Sequence, residues 1–234
     1  PVTSGGLAEL WNLGERVEGL TLGGRTLTQA DLQGLGQLTH VTELSLSGGK
    51  FQAVEGAPTL LEALGGLRRL RVLRLQGLPV GDAIAGVVVQ MPGLEELDLS
   101  RCEVSGAVLG ELSQIKTLKV LSLTGAKGLG LALRQGVPPN RTLKSLDLSG
   151  TGLAGSDFMG LSRFRTLDHL VLDGCQLDDE RLLALVRILK LTSISLNGTQ
   201  VTEAGIKRLE KTSLRQVRWR GKWSEVREVG KGKP

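Results

Sequence analysis

Apolar residues recur along this chain with a nearly fixed period. Leu143-Lys-Ser-Leu146-Asp-Leu148-Ser-Gly150-Thr-Gly-Leu153 is followed 24 residues later by Leu167-Asp-His-Leu170-Val-Leu172-Asp-Gly174-Cys-Gln-Leu177. After another 24 comes Leu191-Thr-Ser-Ile194-Ser-Leu196-Asn-Gly198-Thr-Gln-Val201. Positions 1, 4, 6 and 11 of each block are apolar and position 8 is Gly. Nine blocks begin at Val17, Val41, Leu70, Leu94, Leu118, Leu143, Leu167, Leu191 and Leu214. Positions 3 to 7 alternate polar and apolar, which predicts a short strand with one buried face. In one block Leu97 and Leu99 point inward while Glu96, Asp98 and Ser100 point outward. Beyond position 11 the period lengthens. Val108, Leu109, Leu112 and Ile115 follow a helical stripe, as do Phe158, Leu161, Phe164 and Leu167. Position 12 supplies Thr28, Ser105, Asp178 and Thr202, whose side-chain oxygens can accept from a free N–H at a helix start. Each unit therefore reads as strand, turn, helix.

These blocks resemble the leucine-rich repeat family, whose pattern L-x-x-L-x-L-x-x-(N/C)-x-L fills units of about 20–29 residues. The resemblance covers residues 17–221. It implies an α/β solenoid, a horseshoe with a parallel β-sheet on its concave face and helices on its convex face. Position 8 is Gly in eight of the nine repeats, and only Arg101 departs. Glycine tolerates positive φ, so a tight turn out of the strand is expected there rather than a phosphate cradle. Position 9 usually holds Asn or Cys in the family. Here it reads Arg25, Gly49, Leu78, Cys102, Ala126, Thr151, Cys175, Thr199 and Lys222, closer to Cys/Thr-containing repeats than to Asn ladders.

The pattern divides the chain into residues 1–16, 17–221 and 222–234. Leu7, Leu10, Trp11 and Leu13 suit a helical cap over the open end of the core, because a solenoid's terminal repeats need covering. Residues 222–234 read as a basic C-terminal tail, with Trp219 closing the core and Trp223 folding over it. The extra residues around Gln52 to Thr59 suggest a loop ahead of a helix near Leu60. The segment 126–140, with Pro138-Pro139, is expected to be extended rather than helical on its outer side.

Composition adds a bias rather than a function. Of the 234 residues only three Trp and three Phe are aromatic, with no Tyr, so the core is aliphatic. The net charge of +5 is concentrated between Lys207 and Pro234, which leaves the remainder mildly acidic. The opening Pro1-Val-Thr-Ser-Gly-Gly has neither the charged leader nor the apolar core of a signal peptide, so none is expected in this stretch, and no apolar run approaches the ~20 residues of a membrane helix. Cys102 and Cys175 share position 9 three repeats apart, about 14 Å at the spacing of adjacent strands, too far to bridge. With no disulfide-stapled cap, an intracellular, cytoplasmic setting is expected. The sequons at Asn140 and Asn197 are read as chance occurrences.

The resemblance implies a non-catalytic protein-protein interaction module, a scaffold or subunit of a larger complex, with a protein partner on the concave face. Its candidate contacts are Glu43, Arg74, Glu96, Asp98, Asp147, His169, Asp173 and Asn197, a small, polar, mildly acidic set suited to a basic or extended peptide. The alternative is contact with RNA or an acidic protein through the C-terminal end. There Arg215, Arg218, Arg220, Lys222 and Arg227 are interleaved with Trp219 and Trp223 and could meet phosphates and stack bases. Ser145, His169 and Asp147 or Asp173 could mimic a catalytic triad, but a flat sheet offers no oxyanion hole, so no enzyme activity is expected. No metal-ligand spacing occurs, and neither a cofactor, a small-molecule substrate nor a membrane partner is expected.

Overall fold

The computed structural model describes residues 17–24, 26–48, 50–51 and 59–226. The expected N-terminal cap with Trp11, position 9 of the first two repeats, the loop at 52–58 and the stretch from Arg227 onward lie outside the described residues.

The strands are β1 (Gly19–Gly23), β2 (Thr26–Leu27), β3 (Glu43–Ser47), β4 (Lys50–Phe51), β5 (Val72–Arg74) and β6 (Glu96–Asp98). They continue with β7 (Val120–Ser122), β8 (Ser145–Asp147), β9 (His169–Val171), β10 (Ser193–Ser195), β11 (Gln216–Trp219) and β12 (Lys222–Glu225). Ten form one sheet in the order β1-β3-β5-β6-β7-β8-β9-β10-β11-β12, and β2 pairs with β4 in a small second sheet. Each strand through β11 pairs in parallel with the next at equal repeat position, for example Leu97 with Leu121 and Leu121 with Leu146.

Helices return the chain to the start of the next strand: α1 (Gln29–Gln37), α2 (Leu60–Gly65), α3 (Ile84–Val88), α4 (Ala107–Leu112), α5 (Leu129–Gln135), α6 (Asp179–Ile188) and α7 (Glu203–Lys207). Between α5 and α6 the repeat uses a 3₁₀ helix, Gly155–Arg163, and a second one, Arg208–Lys211, follows α7. The core is one continuous row of aliphatic side chains between sheet and helices, in which Leu73, Leu97, Leu146 and Ile194 are completely buried.

The sequence explains most of these ends. Thr28 and Thr59 each form a reciprocal cap, accepting from the N–H of Asp31 and Glu62, whose carboxylates accept from the capping residue's own N–H. Asp178 and Thr202 cap α6 and α7 in the simpler way. Ser105 does something different. Its N–H and hydroxyl are both bound by Asp82 of the preceding repeat at 2.6 Å, and Asp179 grips Thr202 in the same manner.

Two outer segments differ from expectation. Residues 129–135 are helical, although the stretch was expected to be extended. Gly128 (φ +70°) and Gly136 (φ +103°) start and stop α5 without any side-chain cap, and Leu129 and Leu133 bury one face. The stripe Phe158, Leu161, Phe164 has a strict period of three, and this segment is 3₁₀ rather than α, as three residues per turn require.

The glycines of position 8 do what the turn asks. Gly24, Gly77, Gly125, Gly150 and Gly174 all have φ between +65° and +77°, apart from Gly150 at +63°. Their N–H groups donate to the position-7 carbonyl of the next repeat, as in Gly77 to Ser100 and Gly174 to Asn197 at 2.8 and 2.7 Å. Arg101 holds the same conformation at φ +57° and makes the same bond to Thr124.

Position 9 keeps part of the family's bonding. The Cys102 thiol donates to the Leu75 carbonyl and Cys175 to that of Leu148, each one repeat back, while Thr151 and Thr199 bond carbonyls of their own repeats. Both cysteines are free and buried. Desolvation raises the Cys102 thiol to about 11 and shifts Cys175 in the same direction.

The chain end is not a tail from Lys222 onward. Residues 222–225 form β12, which runs antiparallel to β11 through a two-residue turn at Arg220 (φ +51°) and Gly221 (φ +77°). Trp219 packs against the core and its indole N–H donates to the Val201 carbonyl. Trp223 does not fold over it: that ring is 53% exposed, and Val226, 1% exposed, covers the core instead.

Two outcomes test this account. Arg101→Gly should raise the urea midpoint by about 1 kcal/mol of stability, the cost of a left-handed conformation for a residue with a Cβ; an unchanged or lower midpoint would contradict it. Cys102 and Cys175 should resist alkylation near pH 8 until the protein is denatured. Because the folded thiols ionise above the unfolded value, the protein should lose stability as pH rises from about 9 toward 11. Fast labelling of the native protein would be inconsistent with their burial.

Candidate functional site

Alternation places positions 3, 5 and 7 of every strand on the face opposite the helices. Parallel pairing at equal position turns these into rows that cross the sheet. The middle row reads Arg74, Asp98, Ser122, Asp147, Val171, Ser195, Arg218 from β5 to β11.

The predicted contact residues fall on this face but are not chemically equivalent. Glu43 is exposed on β3. Arg74 is engaged by Glu96, with Nε at 2.7 Å and Nη2 at 2.6 Å from one carboxylate oxygen, so both charges are largely compensated. Asp98 and Asp147 each use Oδ1 to accept the N–H two residues on, at Ser100 and Ser149. Their Oδ2 atoms have no hydrogen-bond partner among the described residues. Asp173 is consumed structurally: it accepts from the Ser195 hydroxyl (2.7 Å), the Asn197 N–H (2.8 Å) and the Asn197 amide (2.9 Å). Asn197 Oδ1 in turn accepts the Gly221 N–H, so one chain of bonds ties three repeats.

His169 meets neither aspartate as a hydrogen-bond partner. Its Nδ1 lies 2.6 Å from the Ser193 hydroxyl on the next strand. Among the described residues no group of three or more His, Cys, Asp or Glu could hold a metal ion. Three open recesses, one of them lined by Thr192, Glu210, Thr212, Arg215, Gln216 and Glu225, contain no His or Cys in their linings.

Exposure of the face is less uniform than alternation suggests. Ser100, Ser193 and Ser195 are buried at 6%, 7% and 1%, although all sit at outward positions. Serine is short, and longer neighbours close over it: Asp173 holds Ser195, and His169 lies on Ser193. The sequons give a related result. Asn140 is 3% exposed, its amide donating to the Ser113 carbonyl and its oxygen accepting from the N–H groups of Thr142 and Leu143.

One set of charged residues escaped the sequence reading. At position 2, along the leading edge of the sheet, Glu95 sits between Arg71 (2.6 Å) and Lys119 (2.5 Å), and Lys144 pairs with Asp168 at 3.4 Å. The hydrogen bond from Lys119, then that from Arg71, lowers the Glu95 pKa. The signal was present, since residues 71, 95 and 119 alternate in sign at intervals of 24.

At the C-terminal end Arg215, Arg220 and Lys222 are exposed and Arg218 is half-buried. None of the four forms an ion pair among the described residues. The Arg220 guanidinium lies 4.1 Å from the centre of the Trp219 ring. Arg218 Nε is buried without an acceptor, between Ser195 and Trp223 by register.

A family model described as Leucine Rich repeat matches residues 140–161. Solved structures with the same fold include internalin C2 of Listeria monocytogenes (18% identity, TM-score 0.53, covering 82% of this chain and 84% of that one). Internalin F of the same organism aligns at 18% identity and TM-score 0.52, over 87% of this chain and 62% of its own. A leucine-rich repeat protein of Leptospira interrogans aligns at 22% identity and TM-score 0.55, over 92% and 52%. The chain thus spans less than two thirds of internalin F and about half of the Leptospira protein. No curated protein matches it by sequence. Among the described residues no helix is long and apolar enough to cross a membrane.

The two kinds of aspartate should separate in a stability measurement. Asp173→Ala removes the acceptor of three bonds and should cost about 1–3 kcal/mol. Asp98→Asn and Asp147→Asn keep the Oδ1 acceptor and should leave the thermal midpoint nearly unchanged. Equal losses from all three variants would show that Asp98 and Asp147 are also structural.

Proposed function

We propose that this chain, which has the leucine-rich repeat solenoid fold, is a non-catalytic interaction module that receives a polypeptide on its concave sheet face. The observation that carries this is the state of Asp98 and Asp147. Both project from the middle of a wide polar surface, each with one carboxylate oxygen unbonded among the described residues, while the neighbouring charges of Glu96 and Arg74 compensate each other. A partner bearing cations would satisfy those oxygens without disturbing the fold. A chain of the mouse RP105/MD-1 complex is similar to this one at 19% identity and TM-score 0.51, over 80% of this chain and 35% of that one, which fits a role in binding other proteins. The role we infer is that of a scaffold or subunit in an intracellular complex; the two buried, unpaired thiols suit such a setting.

A second reading places the partner at the basic hairpin. Its support is Trp223, 53% exposed beside Lys222, on an end where Arg215, Arg218 and Arg220 form no ion pair among the described residues. RNA phosphates and a stacked base would suit this chemistry, as would an acidic protein surface. Trp219 is not free to stack on both faces, because Arg220 covers one.

Capture from the native lysate, with and without nuclease, tests both. The expected result is a nuclease-resistant partner that is lost in Asp98→Arg/Asp147→Arg with little change in thermal midpoint. Capture that survives the double reversal would overturn the concave site. Capture abolished by nuclease would move the site to the hairpin.

A further inference from the structure

We propose that the segment bound on the concave face is extended, with two basic side chains three residues apart. This rests on the concave-face reading and specifies its ligand. The middle row of the sheet carries the inference. Arg74 is engaged by Glu96, so the first unpaired charge is Asp98. Ser122 follows, then Asp147, then two uncharged positions, then Arg218.

Adjacent strands lie about 4.8 Å apart, which separates Asp98 from Asp147 by about 10 Å. A polyproline-type strand rises about 9.3 Å in three residues and returns its side chain to the same side after each turn of three. Side chains at i and i+3 therefore meet both carboxylates, whereas i+2 and i+4 face elsewhere.

The surface between the two acids is low enough for a backbone to pass. The Ser122 hydroxyl is turned aside toward Ser100 (2.7 Å) and Thr124 (3.2 Å). From Asp147 to Arg218 the row crosses Val171 and Ser195, and the Ser195 hydroxyl is held down by Asp173. Three strand spacings, about 14 Å, fall between one and two turns of the same backbone, so Arg218 lies outside this repeat of side chains.

The test uses fluorescent peptides and anisotropy on the whole chain. One peptide carries Lys-x-x-Lys and a second closes the lysine spacing to Lys-x-Lys. The first should bind about tenfold more tightly than the second, with affinity falling as salt is added. Asp98→Asn/Asp147→Asn should lose that preference. Equal affinity for the two spacings, or undiminished binding by the Asn variant, overturns the proposal. If no peptide binds while lysate capture still depends on Asp98 and Asp147, the spacing is wrong and the concave site stands. If that capture also ignores the two aspartates, both fall.

Discussion

No repeat of this chain can satisfy its own backbone, and the rest of the structure depends on how each unit is completed by its neighbour. At the leading edge the position-2 carbonyl accepts from two successive N–H groups of the next repeat, as Glu95 does from Lys119 and Val120. At the trailing edge the N–H of position 8 reaches forward to the next repeat's position-7 carbonyl. Only a left-handed residue can aim that N–H, which is why glycine recurs there. The leucines between these two edges are buried because the register is locked on both sides. A solenoid stabilised this way draws on nearest-neighbour interfaces rather than on a central core.

The same register decides the electrostatics of the concave face. Because equal positions stack in rows, a charge is compensated or left open according to what stands one strand away. Arg74 and Glu96 are neighbours by this rule and close on each other. Asp98 and Asp147 have Ser122 between them and remain open. Asp173 lies beside Asn197 and is drawn into holding the last repeats together. Four carboxylates that look alike in sequence thus divide into a compensating partner, an open pair and a structural clamp (Glu96, Asp98 with Asp147, and Asp173).

The sheet was legible in the sequence because its signal is redundant: nine copies of an alternating pattern fix which leucines turn inward and which positions pair. Outer segments were less so, because their ends depend on single-residue conformations. Gly128 and Gly136 delimit a helix by backbone angle alone, and a spacing of three in Phe158, Leu161 and Phe164 marks 3₁₀ geometry only when its strictness is taken literally. The concave rows could be written down from the repeat register, but the burial of Ser193 and Ser195 could not. That depends on how far His169 and Asp173 lean across a strand. The hairpin at the C-terminal end was hidden because Arg220 is an unusual residue for a left-handed turn.

That hairpin has a consequence for how such a chain can change in length. Every strand before it offers the next one a parallel edge at matching register, so copying a unit anywhere upstream yields another strand that fits. Reversal of direction at Arg220–Gly221 ends this equivalence: β12 presents an edge whose polarity no further unit of the same kind can continue. Gene duplication in this scaffold is therefore viable in its interior and blocked beyond β11. A copy inserted between β6 and β8 would also move Asp98 and Asp147 apart by one whole strand spacing, so that growth in length and change of ligand would arrive in the same event.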